Sequence, residues 1–122
     1  IWCLSKIGLA KELKKANYMQ IMKARSMAKW NQIYTHLKAI PDPEAQPYFY
    51  KLNNIKNKIQ VLEQSWINTE KNIAFHYQNP KYQLLSKQLF QKQKKRYQIE
   101  YQTILKTLSI MLVAIQNGQL HI

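Results

Sequence analysis

The sequence predicts an all-α protein, an antiparallel three-helix bundle with coiled-coil-like seams and helices over about 4–39, 48–78 and 81–117. Three observations carry that prediction. Two glycines and four prolines in 122 residues are too few for a turn-rich β-sandwich. The prolines cluster at two points, leaving three long stretches uninterrupted. Within those stretches apolar residues recur in steps of three and four, which gather on one side of a helix and scatter over both faces of a strand.

The first stretch is rich in Lys, Leu, Ile and Ala, residues that favour or tolerate helix. Its later part is regular, with Trp30, Ile33, Leu37 and Ile40 in phase. Leu9, Leu13 and Ala16 point to another register, and Gly8 lets the first turn fray or bend. Pro41, Pro43 and Pro47 then occupy one loop. In the second stretch Tyr48, Leu52, Ile55, Ile59, Leu62, Trp66, Thr69, Ile73 and His76 follow alternating fours and threes, a continuous seam. Asn79-Pro80 favours turn initiation. The third stretch keeps the same spacing through Tyr97, Tyr101, Ile104, Leu108, Met111 and Ile115. Tyr82, Leu85 and Leu89 form a separate series, and joining it to Tyr97 through Gln93 takes an extra four residues, a stutter that locally unwinds the supercoil. Asn117-Gly118 supplies a C-terminal cap.

At 1.5 Å per residue these helices form a rod roughly 45–55 Å long. Short connections make neighbours antiparallel, so the first and third helices run parallel with the second returning between them. In architecture this resembles a spectrin-like three-helix bundle, with no family motif beside it. The expected organisation is one helical domain over 1–122. The chain opens Ile-Trp-Cys-Leu without a Met, as a fragment or processed piece of a larger protein would. Ile1–Leu4 is too short for a signal-peptide core, so no targeting signal is expected. The longest strongly apolar run, Leu108 to Ile115, falls far short of the roughly 20 residues a membrane span needs.

Charge is the most unusual property. Nineteen Lys and Arg face six Asp and Glu, for a net charge of +13. Residues 41–79 are neutral as a group, so the whole excess lies on the first and third helices. Parallel packing would bring Lys11, Lys14, Lys15, Lys23 and Arg25 to the same end as Lys81, Lys87, Lys92, Lys94, Lys95 and Arg96. That end is the expected anion- or phosphate-binding site, because an unneutralised surplus of this size repels itself. The opposite end collects Trp30, Tyr34, Tyr48, Phe49, Leu112 and Val113, an expected protein interface. The rod should therefore have one basic end and one apolar, aromatic end.

Catalytic chemistry is not expected, and neither is a metal or cofactor. His36, His76 and His121 lack chelating spacing. Glu63 and Glu70 share a helix face but flank the seam, where acids pair with lysines of neighbouring helices. Two glycines cannot build a phosphate loop, and Ser5, Ser26, Ser65, Ser86 and Ser109 sit in helical contexts without a nucleophile elbow. Cys3 lies between Trp2 and Leu4, a small hydrophobe without a neighbour to lower its pKa.

The favoured expectation is an intracellular basic module that binds nucleic-acid backbone within a larger assembly. Lysines release counterions from phosphates and tyrosines stack on bases, while two arginines are few for base readout. The alternative is docking on an anionic membrane or a phosphoinositide head group, which takes clusters of four to eight Lys and Arg. A third is an accessory structural subunit held to a protein partner through the 107–115 end. Neutralising Lys92, Lys94, Lys95 and Arg96 together should weaken binding and flatten its salt dependence.

Overall fold

A computed structural model describes residues 18–41 and 43–118. Among them three helices pack on one another, and no strand occurs. They are α1 (Tyr18–Lys38), α2 (Gln46–Tyr77) and α3 (Gln83–Gln116). The all-α three-helix bundle read from the spacing is the fold. Residues 4–17 of the first expected helix lie outside the described residues. So do Lys11, Lys14 and Lys15 and the Leu9–Leu13–Ala16 register.

The punctuation acts where proline chemistry requires. Pro43 begins a short 3-10 turn, Pro43–Ala45, that runs into α2. Pro47 sits in the first turn of α2, where its missing N–H would have had no helical partner. At the second connection the Asn79 side chain accepts a hydrogen bond from the Lys81 backbone N–H at 3.1 Å, ahead of the Pro80–Tyr82 turn. Gly118 ends α3 with φ at +70°, and its N–H reaches the Ile115 carbonyl at 3.1 Å. A side chain at that position would strain the left-handed conformation.

Contacts between helices fix their directions. Trp30 on α1 meets Leu52 on α2, and Lys23 meets Glu63, so α1 and α2 run antiparallel. Lys58 pairs with Glu100, and Trp66 packs on Phe90 and Tyr97, so α2 and α3 also run antiparallel. Helices α1 and α3 are therefore parallel. Lys23 lies level with Tyr101, since both line one small cavity with Glu63. The described part of α1 thus accompanies only the C-terminal half of α3.

The core is the seam that the spacing defined. Tyr48, Leu52, Ile59, Trp66 and Ile73 are buried on α2, with Ile55, Leu62 and Thr69 half-buried between them. Trp30, Ile33 and Leu37 are buried on α1 and joined upstream by Met19, Met22 and Ser26. The Ser26 hydroxyl donates to the Met22 carbonyl at 2.8 Å, which satisfies it in an apolar setting. On α3 every expected position from Tyr97 to Ile115 is buried.

Two stretches of the seam differ from expectation. On the first half of α3, Leu85 and Leu89 are exposed, and Ser86 and Phe90 are buried instead. The helix is turned by one residue because Phe90 packs its ring 5.8 Å from that of Trp66. The extra four residues of the stutter fall at Gln93–Tyr97–Tyr101. At the end of α2, Tyr77 is buried and His76 is turned outward, its ring edge-on to Phe75 and Tyr82.

Candidate functional site

The basic residues of α3 stand on a helix whose inner row is fully committed to the core. Lys87, Lys92, Lys95 and Arg96 are exposed, as is Lys81 in the turn before the helix, and Lys94 is half-buried. Two of the described acids are engaged elsewhere. Glu63 binds Lys23 at 2.7 Å, and Glu100 binds Lys58 at 3.7 Å. Among the described residues no carboxylate forms an ion pair with Lys87, Lys92, Lys95 or Arg96. The guanidinium of Arg96 lies 5.8 Å from the ring centre of Tyr97, and the Lys81 ammonium 5.7 Å from that of Tyr82.

On α1 the two described candidates part company. Lys23 is held by Glu63, so its charge is neutralised within the chain. Arg25 is exposed. Because Lys23 is level with Tyr101, it and Arg25 lie beyond the Arg96 end of the cluster rather than beside Lys81 and Lys87.

Of the six residues expected at an interface, three belong to this chain's own core. Trp30 of α1, Tyr48 of α2 and Leu112 of α3 are buried in the core that the three helices share. Tyr34 and Val113 are exposed and Phe49 is half-buried. Trp30 stacks on Tyr34 at 5.3 Å with the planes 8° apart, and Tyr34 meets Phe49 edge-on at 5.8 Å. The Lys56 ammonium sits 4.9 Å from the Trp30 ring centre. These rings, with Gln46, Tyr50 and Asn53, line an open cavity of about 290 Å³.

The separation into a basic end and an apolar end is corrected by the other end of the rod. Phe75, Tyr82, Leu84, Leu85 and Leu89 are exposed there, alongside Lys81 and Lys87. Ile73, His76, Tyr82, Leu85, Ser86 and Leu89 line a second cavity of about 290 Å³. The same one-residue rotation that buries Phe90 brings these leucines to the surface.

Between α1, α2 and α3 lies a small cavity of about 60 Å³, lined by Gln20, Lys23, Glu63, Trp66, Glu70 and Tyr101 among others. Burial raises the pKa of Glu70 above the ordinary carboxylate value, and the nearby Trp66 indole N–H opposes that only in part. The indole nitrogen is buried and reaches no partner at full hydrogen-bond geometry. Burial, with the Glu63 and Tyr97 side chains adding to it, pushes the Tyr101 phenol up to about 12. Among the described residues no three His, Cys, Asp or Glu side chains gather closely enough to hold a metal ion. Nor is any described helix long and apolar enough to cross a membrane.

Comparison with protein-family models, with curated proteins and with solved structures found no match.

One feature of α3 was not read from its spacing. Gln88, Lys92, Lys95, Ile99, Thr103, Lys106, Ile110 and Val113 are all exposed and follow steps of three and four. They form a second stripe, on the side of α3 away from the core. Its signal in the sequence is a periodic row of aliphatic and basic residues that contains no acid.

Proposed function

We propose that this chain is a non-catalytic helical module that binds a phosphate-bearing partner through the outward side of α3. One observation carries the proposal: Lys87, Lys92, Lys95 and Arg96 are cations for which the described residues supply no counter-charge. Such a cluster holds positive potential against its own repulsion, and an external polyanion relieves it. Predominance of lysine suits phosphate as a point charge, without the bidentate geometry of base readout.

The test is binding of the chain to duplex DNA and to anionic lipid vesicles over a range of salt. Affinity for at least one should fall steeply with salt, and Lys92→Gln/Lys95→Gln/Arg96→Gln should weaken it and lower the salt slope by about two to three. Absence of salt-dependent binding to either probe, or a slope untouched by the triple variant, overturns the proposal.

Nucleic-acid backbone remains the reading that lysine excess alone favours. Stacking on bases would need aromatic rings beside the cluster. Tyr97 and Tyr101 are buried, and the exposed Phe75, His76 and Tyr82 rings gather beside Lys81 instead of beside Lys92, Lys95 and Arg96.

A further inference from the structure

Resting on the phosphate-binding reading, we infer that the partner is an anionic membrane surface, against which α3 lies lengthwise with its aliphatic side chains entering the headgroup region. Ile99, Ile110 and Val113 are 61%, 62% and 54% exposed. Single exposed aliphatic residues are ordinary on any protein. These are aligned: with Lys92, Lys95 and Lys106 they make one stripe from Lys92 to Val113, about 30 Å long at helical rise.

The stripe has the composition of an interfacial helix face. Between residues 83 and 118 the acid is Glu100, and it is turned aside to Lys58 on α2. Among the described residues no carboxylate pairs with Lys92, Lys95 or Lys106, and the aliphatic side chains stand between these cations rather than in a separate patch. Lys106, Ser109, Ile110, Val113 and Ala114 border a shallow open depression with the same mixture.

A bilayer surface rewards both components at once. Lysine stems lie along apolar surface while their ammonium groups reach headgroup phosphates. Isoleucine and valine gain by leaving water at the acyl boundary. A nucleic acid rewards only the charges, since aliphatic side chains have no ring to stack on bases. The aliphatic row is thus what separates the two sources of phosphate.

The experiment is cosedimentation of the whole chain with phosphatidylserine–phosphatidylcholine vesicles, with pure phosphatidylcholine vesicles as control and duplex DNA titrated at the same salts. Binding is expected to the anionic vesicles and not to the neutral ones. Ile99→Ser/Ile110→Ser/Val113→Ser should weaken vesicle binding about tenfold or more while leaving its salt slope intact. The Lys92, Lys95 and Arg96 neutralisation should cost about fivefold per cation and reduce that slope. Circular dichroism checks that the serine variant keeps its helicity. If it does not, the single exposed change Ile110→Asp carries the same comparison.

Vesicle binding unaltered by loss of the aliphatic row overturns the inference. So does tight DNA binding with vesicles ignored, although the phosphate-binding proposal then stands. A dimer in sedimentation velocity that the serine variant dissolves would reassign the stripe to a second copy of this chain. Failure on both vesicles and DNA would remove the proposed function as well.

Discussion

The indole nitrogen of Trp30 donates a hydrogen bond to the backbone carbonyl of Leu52, 2.6 Å away on the neighbouring helix. A helical carbonyl keeps a second lone pair after serving its own ladder. The bond therefore ties α1 to α2 without breaking a turn of either. It also explains how a polar N–H is tolerated at a position that is almost wholly buried.

Trp30→Phe removes that donor and part of the ring volume while keeping an aromatic side chain. The Leu52 carbonyl retains its place in α2, so it is not orphaned. A loss of about 1–2 kcal/mol in unfolding free energy is expected from urea titration. Trp30→Ala adds a cavity and should cost about 3–5 kcal/mol. Equal stability of the Phe variant and the parent would mean the bond contributes nothing.

The register of α3 is open to a direct test at its first half. Phe90 is buried against Trp66, whereas Leu85 stands in solvent. Phe90→Ala should destabilise by about 3–5 kcal/mol, and Leu85→Ala should stay within about 0.5 kcal/mol. The reverse order in thermal or urea unfolding would restore the Tyr82–Leu85–Leu89 row to the core.

That contrast shows where the sequence is legible. On α2, and on α3 from Tyr97 onward, nearly every core position is bulky and apolar and the outward positions are mostly polar. The most continuously apolar row there is the row that is buried. From Gln83 to Phe90 three leucines compete with Ser86 and Phe90, and counting apolar residues selects the wrong row. What decides is the fit of Phe90 to Trp66, a contact between helices that spacing within one helix does not contain. The same limit applies to the charges. The surplus on α3 is plain from composition, but the pairing of Lys23 with Glu63 depends on how α1 meets α2. Trp30, Tyr48 and Leu112 look like surface anchors until a third helix is packed against them.

The Lys23–Glu63 pair is short at 2.7 Å, yet both side chains remain about one-third exposed, at 35% and 36%. Solvent screening should hold its worth to about 0.5 kcal/mol, and salt should reduce it further. A double-mutant cycle with Lys23→Met and Glu63→Gln measures the coupling. A value above about 2 kcal/mol would mean the pair behaves as buried. The Lys58–Glu100 pair is longer, 3.7 Å, and more exposed, so its coupling should be smaller still.

Glu70 gives the fold a pH dependence whose direction is set by burial. Its pKa is raised in the folded chain chiefly by desolvation, with the Trp66 indole pulling weakly the other way. In the interval between the ordinary carboxylate value and the raised one, the folded state binds more proton than the unfolded state. Stability therefore falls as pH rises through that interval and stays lower above it. Glu70→Gln has no such proton to lose, and its side-chain oxygen still offers the Trp66 N–H an acceptor. The variant should melt at a higher temperature than the parent near neutral pH, and the gap should close below about pH 4, where both side chains are neutral. Lys23, Glu63 and Tyr101 line the same cavity in both proteins, so their contributions largely cancel in the difference. A gap independent of pH would assign the gain to packing instead of ionisation, and a lower melting temperature for the variant at neutral pH would mean that the charged carboxylate is stabilised in place.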